Sequence, residues 1–193
     1  MQVIADATFY LVFLLDISKP DYLGSILDAQ KFFLPPLVDK EIQIKLKKEG
    51  NPLNYTYIDR RLKNNQIKKL DNSEFDLGLI LKYFTGKTNP KIGEDEVVAY
   101  SFYLIKKYPY LCIVLDDGDA RERVKTKKKL HHVYSQLKWS TDVIVDCYCN
   151  FNILKRQDCI QIIYEMKKVN ALKIPDRMYD EILDRVKSFQ NLK

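Results

Sequence analysis

The sequence contains no apolar run long enough to cross a bilayer. Residues 9–17 are strongly apolar, but this stretch is too short for a transmembrane helix. The chain begins without a basic leader, and an acidic residue, Asp6, follows at once, so we predict no signal peptide. We therefore expect a cytoplasmic protein that has no membrane partner.

Histidine is scarce, since His131 and His132 are the only two in 193 residues. Four cysteines are present, but Cys147 and Cys149 are separated by one residue, which does not match a zinc knuckle. The apolar surroundings of the cysteines favour buried free thiols, as expected in a reducing compartment. A structural zinc site is therefore not expected.

Basic residues outnumber acidic ones, 32 against 26, which gives a formal net charge of +6 and a pI near 9.0. Such an excess favours a polyanionic partner. The basic residues crowd three stretches, residues 45–48, 60–69 and 121–129, whereas acidic residues gather at predicted strand ends. The hydrophobic content of 46% is ordinary for a globular domain with a full core.

Short apolar strands alternate with helical patterns along the chain. We predict strands at residues 2–5, 32–34, 67–70, 112–115 and 133–137. We predict helices at residues 9–15, 22–31, 37–48, 74–84, 93–107, 120–129, 140–149, 154–169 and 176–187, and Ser18 as the cap of the second. This alternation is typical of a three-layer α/β/α sandwich with a mainly parallel sheet. We assign residues 1–150 to this domain and residues 151–193 to a helical extension packed on it.

Acidic residues recur where a predicted strand ends or where the next helix begins: Asp6, Glu41, Glu94, Asp116 and Asp117. Any one of them has a simpler explanation, because a helix dipole favours acids in its first turn and Asp favours turns. The recurrence suggests more, because ligands of parallel sheets bind outside the carboxyl ends of the strands. We therefore expect these side chains to converge.

Converging carboxylates repel, since two unit charges 4 Å apart interact by roughly 4 kcal/mol even at an effective dielectric near 20. A divalent cation relieves that repulsion. Carboxylate oxygens without His or Cys suit Mg²⁺ or Mn²⁺, and such a site hydrolyses phosphodiesters.

Four short motifs resemble those of PIN-domain nucleases, the family of VapC-type toxins. They are Met1-Gln-Val-Ile-Ala-Asp6, Leu34-Pro-Pro-Leu-Val-Asp-Lys-Glu41, Gly93-Glu94-Asp-Glu-Val-Val-Ala and Leu115-Asp116-Asp117-Gly-Asp-Ala-Arg121. The resemblance implies a flavodoxin-like sandwich, dependence on Mg²⁺ or Mn²⁺ and cleavage of RNA. By this resemblance, the expected catalytic acids are Asp6, Glu41, Glu94 and Asp117. The expected metal ligands are Asp6, Glu94, Asp116 and Asp117. Glu96, Asp119 and Asp142 are weaker candidates.

Basic side chains near such a centre would hold RNA phosphates. The candidates are Arg121, Lys127, Lys128 and Lys129, and further away Lys45, Lys47, Arg60 and Arg61. For each of them individually a solvated helix face is the safer explanation, and Arg121 has a third option, pairing with an acid. Tyr55 and Tyr57 fit either stacking on unpaired bases or packing in the core.

The sequence thus predicts a metal-dependent endoribonuclease, either a toxin inhibited by an antitoxin or the effector of another defence system. DNA is an alternative substrate, because phosphodiester hydrolysis needs no 2′-hydroxyl. A non-catalytic nucleic-acid or protein interaction module on the same fold is the alternative function. A response-regulator receiver fits less well, because the Asp pair comes late in the chain.

The apolar positions in residues 22–31 and in the C-terminal helices suit either a homodimer interface or internal packing.

Overall fold

The structure, a computed structural model, describes residues 1–90, 92–172 and 174–189. It contains one sheet of five strands: β1 Gln2–Ala5, β2 Lys31–Leu34, β3 Ile67–Lys69, β4 Cys112–Val114 and β5 Leu137–Lys138. The strand order is β3-β2-β1-β4-β5, and every neighbouring pair is parallel. The predicted α/β class with a mainly parallel sheet is confirmed.

Eleven α-helices lie in the described part of the chain. They are α1 Ala7–Leu11, α2 Pro20–Ala29, α3 Pro36–Lys48, α4 Thr56–Lys63, α5 Leu77–Thr85, α6 Gly93–Lys107, α7 Gly118–Thr126, α8 His131–Tyr134, α9 Ser140–Cys149, α10 Arg156–Val169 and α11 Asp176–Ser188. A π-helical turn, Val12–Asp16, continues α1, and short 3₁₀ turns occupy Pro52–Tyr55, Asn72–Glu74 and Lys128–Leu130. No helix among these described residues is long and apolar enough to cross a membrane.

The central strands are buried on both faces. Val3, Ile4 and Ala5 of β1 have no solvent exposure, and successive strand residues point to opposite sides of a sheet. Helices must therefore cover both faces, which explains why the strands are continuous apolar runs instead of alternating patterns. This burial is consistent with the predicted sandwich.

The strand order predicts a crevice between the inner strands β1 and β4, at the carboxyl ends of the strands. Strand β1 continues through helices to β2 on one side, whereas β4, its other neighbour, continues to β5 on the opposite side. At the carboxyl ends of β1 and β4 the chain therefore departs in two directions, which is where open α/β sheets bind ligands. Asp6 N–H donates to the Val114 carbonyl at 3.1 Å, so residues following both strands emerge side by side.

The last strand lies further along the chain than predicted. Residues 133–137 were expected to form it, but α8 ends at Tyr134 and the strand is Leu137–Lys138. The ladder with β4 begins at Gln136, whose carbonyl accepts from Ile113 N–H at 3.2 Å. Val133 is instead buried on α8, so its apolar side chain fills the core from a helix.

The predicted cap Ser18 is wrong. Ser18 has a positive φ of 50°, and its hydroxyl donates to the Leu15 carbonyl at 3.0 Å, so it ends the preceding π-helical turn. Helix α2 begins at Pro20, with Lys19 as its N-cap.

Two helices have other bounds than predicted. Helix α2 ends at Ala29, two residues before the predicted end, because Lys31 already pairs with Gln2 in the sheet. Helix α5 similarly begins at Leu77, three residues after the predicted start.

The C-terminal helices α10 and α11 contact the rest of the fold. The Cys159 thiol donates to the Ile144 carbonyl of α9 at 3.7 Å, and Tyr22 of α2 donates to Asp158 at 3.1 Å. The apolar residues of α2 and of these two helices are largely buried in the common core, which accounts for them by internal packing. Residues 173 and 190–193 of the predicted extension lie outside the described part.

All four cysteines are free thiols, as predicted. Burial raises the pKa of the Cys112, Cys147 and Cys159 thiols to about 12. These groups are therefore protonated, apolar core residues at neutral pH.

Candidate functional site

Asp6 joins the ends of the two central strands. Its Oδ1 accepts from Phe9 N–H at 3.3 Å and so caps α1, while its Oδ2 accepts from Asp116 N–H at 2.7 Å. The side chain is 1% exposed. Burial and then the charge of Asp116 raise the pKa of Asp6 well above its usual value, although the two amide bonds act in the opposite direction.

Asp116 and Asp117 follow β4 but have different surroundings. Asp116 is buried and accepts from the Ser140 N–H at 2.8 Å and from the Ser140 hydroxyl, which fixes it to the start of α9. Burial raises the pKa of Asp116 to about 6 despite these bonds. Asp117 is exposed and caps α7 through a 2.6 Å bond from Ala120 N–H.

Glu41 and Glu94 approach from two helices. Gly93 N–H, at the start of α6, donates to Glu41 Oε1 of α3 at 2.8 Å. The neighbouring Glu94 is half-buried, and its pKa is raised by burial first and then by the charges of Glu41 and Asp117. Asp6 in turn is affected by the charge of Glu94.

The structure thus brings together the five acids singled out from the sequence, Asp6, Glu41, Glu94, Asp116 and Asp117, which we call the acid cluster. The weaker candidates lie around it. Glu96 is buried and accepts from Leu37 N–H at 2.6 Å, and Asp142 accepts from Trp139 N–H at 3.0 Å at the start of α9. Asp119 is exposed on the first turn of α7.

The acid cluster has the donor chemistry of a divalent-cation site but not the arrangement of one. As the side chains stand, the described residues contain no group of three or more His, Cys, Asp or Glu placed to hold a metal ion. Asp6, Glu41 and Asp117 each direct an oxygen to a main-chain amide. The donor set is nevertheless made of hard carboxylate oxygens, and burial together with the neighbouring acidic charges raises the pKa values of Asp6 and Glu94. Its chemistry suits Mg²⁺ or Mn²⁺ and no softer metal.

Arg121, predicted to contact RNA, is used inside the protein. Its guanidinium donates to the carbonyls of Leu115 and Lys138, both at 3.0 Å, and lies 4.1 Å from the centre of the Trp139 ring. These contacts tie the ends of β4 and β5 together. They leave Arg121 half-buried, with its Nη1 used inside the protein, which gives this residue a structural role.

Two of the three predicted lysines lie over one aromatic ring. The Nζ atoms of Lys127 and Lys129 lie 5.5 and 5.2 Å from the centre of the Tyr83 ring, and Lys128 beside them is exposed. We call Tyr83, Lys127, Lys128 and Lys129 the basic surface. Sequence reasoning missed Tyr83, because residue 83 and residues 127–129 are far apart in the chain.

Arg123 lies between the sequence neighbours of the basic surface and of the acid cluster. Its guanidinium lies 4.9 Å from the ring of Phe84, the neighbour of Tyr83, and its Nη1 is 4.0 Å from Asp95 Oδ1. Asp95 in turn follows Glu94 on α6. Arg123 therefore contacts residues adjacent in the chain to both regions.

The remaining candidates are placed elsewhere. Arg61 is buried and holds Asp28 through two hydrogen bonds of 2.6 and 2.9 Å, so it is not available to RNA. Tyr55 donates to Asp39 at 2.5 Å, and Tyr57 donates to Asp21 at 3.1 Å. Lys45, Lys47 and Arg60 are exposed on α3 and α4.

A buried carboxylate that was not predicted, Asp39, lies in the first turn of α3. It accepts hydrogen bonds from Lys69, Tyr55 and Gln43, which lower its pKa although burial acts to raise it. The only sequence signal for this set of bonds was the four-residue spacing of Asp39 and Gln43, which puts both side chains on one face of the helix. Because its oxygens are bound by these three residues, Asp39 is a structural residue.

Comparison with family models, with curated protein sequences and with solved structures finds no match to this chain. The resemblance to PIN-domain nucleases therefore rests on the four motifs alone and stays a prediction.

Proposed function

We propose that the protein is a metal-dependent phosphodiester hydrolase of the PIN type that cleaves RNA. One observation carries the proposal. Carboxylates from the ends of β1 and β4 and from the facing helices α3 and α6 meet at the crevice of a parallel sheet, where burial and mutual repulsion raise the pKa values of Asp6 and Glu94. Perturbed acids in such a place are typical of functional sites.

The metal-holding residues in this proposal are Asp6, Glu94, Asp116 and Asp117, and Glu41 completes the catalytic set. A bound Mg²⁺ or Mn²⁺ would supply charge neutralisation and an activated water. Asp6 and Asp116 are already held in fixed orientations by main-chain amides and by Ser140. Such fixed carboxylates lose little conformational freedom when a cation binds.

The basic surface is the proposed contact for the RNA backbone. Lys127, Lys128 and Lys129 bring three positive charges to the end of α7, and Arg123 of the same helix contacts Asp95, the neighbour of Glu94. Phosphate groups spaced along a single strand fit such an array, and binding of this kind weakens as salt rises. The proposal includes a cytoplasmic location and, as for a toxin or defence effector, a protein regulator such as an antitoxin.

An interaction module is the second candidate. Its supporting observation is that the acids have structural roles, because Asp6 and Asp117 cap helices and Glu41 accepts from the start of α6. In this alternative the basic surface binds a nucleic acid or protein and no bond is cleaved.

A cleavage assay separates the two candidates. Total cellular RNA and, in parallel, single-stranded DNA are incubated with Mg²⁺ or Mn²⁺ and with wild-type protein or Asp6→Asn. We expect cleavage of RNA by the wild type, none by Asp6→Asn and none in EDTA, with circular dichroism confirming that both proteins are folded. Equal cleavage by both proteins would show that the acid cluster is not the active site. No cleavage of either substrate by folded wild-type protein would favour the interaction module.

A further inference from the structure

Helices α3 and α6 exchange hydrogen bonds at their starts. Leu37 N–H, in the first turn of α3, donates to Glu96 Oε2 of α6 at 2.6 Å. Gly93 N–H, the first of α6, donates to Glu41 Oε1 of α3 at 2.8 Å. First-turn N–H groups have no partner within their own helix, so each helix satisfies a free donor of the other.

The two helices are in close contact at this point. A Cβ atom placed on Gly93 would lie 2.7 Å from Glu41 Oε2 and 2.9 Å from Val38 Cγ2, both closer than real contacts. A larger residue at this position would therefore force the side chains of Glu41 and Val38 to shift. The start of α6 and the Glu41 side chain have little room to move relative to each other.

Glu96 and Glu94 cannot share one role. They are two positions apart on a helix that turns 100° per residue, so their side chains leave α6 in roughly opposite directions. Glu94 is affected by the charges of Glu41 and Asp117, whereas Glu96 is 1% exposed and directed at the amide of Leu37.

The burial of Glu96 is costly for a residue with a purely structural role. Its Oε2 has the Leu37 bond, but its Oε1 is buried without a hydrogen-bond partner among the described residues. A half-satisfied carboxyl group in the core is expected to destabilise the fold. The stabilising contribution of Glu96 is its 2.6 Å hydrogen bond from Leu37, which fixes the start of α3.

We propose that Glu96 is a positioning residue, which fixes the start of α3 against α6 and thereby sets the placement of Glu41 relative to Glu94. The inference rests on the proposed function, since this placement matters for activity only if the acid cluster acts on a substrate. Glu96 itself touches neither metal nor RNA in this account.

Kinetics of three variants test the positioning role. Glu96→Ala removes the acceptor and is expected to lower kcat about tenfold or more while leaving KM for RNA unchanged, because small displacements of catalytic groups are costly. Glu96→Gln keeps an acceptor for Leu37 and should restore most of the activity. In the double variant with Glu41→Gln, Glu96→Ala should cause no further loss, because its effect acts through Glu41. The proposal would be overturned if the losses of kcat from the two single substitutions multiplied in the double variant. It would also be overturned if Glu96→Gln were as slow as Glu96→Ala.

Hydrogen exchange at the Leu37 amide tests the bond without metal or RNA. We expect protection in wild type and Glu96→Gln, and at least about tenfold faster exchange in Glu96→Ala. Glu181→Ala, an exposed residue of α11, is the control and should exchange like wild type. Unchanged protection in Glu96→Ala would overturn the proposal whether or not the protein cleaves RNA. Loss of protection in a protein that cleaves nothing would contradict only the proposed function.

Discussion

The acid cluster and the basic surface both gather charges of one sign, but they differ in what holds the charges. The carboxylates of the acid cluster are bound by main-chain amides and by Ser140, and two of the five, Asp6 and Asp116, are buried. In the basic surface, Lys127 and Lys129 have their charged ends near an aromatic ring, and Lys128 and Lys129 are exposed. The first arrangement is held in place by hydrogen bonds and is electrostatically unfavourable, whereas the second is open to solvent.

This difference assigns different tasks to the two regions. Rigid, mutually repelling carboxylates favour a ligand of fixed geometry and high positive charge, such as a divalent cation. Lysines on long, flexible side chains favour a ligand whose negative charges vary in position, such as a nucleic-acid backbone. Changes in the acid cluster should therefore alter the rate of reaction, and changes in the basic surface should alter binding.

The largest effect is expected from Glu94→Gln. Glutamine keeps the size of the side chain but removes the charge at the centre of the acid cluster. We expect cleavage to fall by about a hundredfold or more at saturating RNA, a size typical for loss of one electrostatic group in an active site. Binding of RNA, measured by fluorescence anisotropy in EDTA, should not weaken. A drop in affinity with an unchanged rate would assign Glu94 to binding instead.

Gly93→Ala should damage the acid cluster through packing. The new methyl group would meet Glu41 and Val38 at less than 3.0 Å, which we expect to lower the free energy of unfolding by about 2 kcal/mol. Gly118→Ala is the matched control, because Gly118 also lies at a helix start but has open space around it. Equal unfolding midpoints in urea for the two variants would show that α3 and α6 are not in tight contact.

Neutralising the basic surface should weaken binding alone. In Lys127→Gln/Lys128→Gln/Lys129→Gln we expect RNA affinity to fall about tenfold at low salt. The slope of log affinity against log salt should decrease by about 2, since each single-strand phosphate contact contributes about 0.7. The control removes three exposed charges of the C-terminal region, Lys155, Lys168 and Arg177. Equal losses in both triple variants would show that only net charge matters.

A small pH effect is expected from His132, next to the basic surface. Burial and the charges of Lys106 and His131 lower the pKa of His132 below 6.5. The unfolded chain therefore binds a proton more readily than the native protein, so the free energy of unfolding should decrease as pH falls below 6.5. The loss should be less than about 1 kcal/mol, because His132 is only partly buried. His132→Gln should reduce this slope in urea titrations from pH 7 to 5, and an unchanged slope would contradict the assignment.

Local sequence signals were sufficient for the strand-end aspartates. Asp6 and Asp117 follow apolar strands and cap the helices that come next, so strand, acid and helix are adjacent in the chain. The parallel sheet and the bounds of α6 were also predictable, because both depend on local hydrophobic patterns.

Contacts between distant segments were not predictable. The bonds of Glu41 to Gly93 and of Glu96 to Leu37 depend on how α3 and α6 meet, which no local pattern specifies. For the same reason Arg61 and Arg121 appeared to be surface residues, although each is bound to main-chain carbonyls. Arginine has a long apolar stem that allows such burial, and composition does not reveal it.

Unfolding of wild-type protein and Glu94→Gln, each with EDTA and with Mn²⁺, tests the central claim most directly. If the acid cluster is a set of repelling carboxylates that holds a cation, Glu94→Gln is the more stable protein in EDTA, by about 1 kcal/mol. Mn²⁺ should then stabilise the wild type and leave the variant nearly unchanged, which reverses the order. A variant that is less stable in EDTA, or equal stabilisation of both proteins by Mn²⁺, would contradict the account.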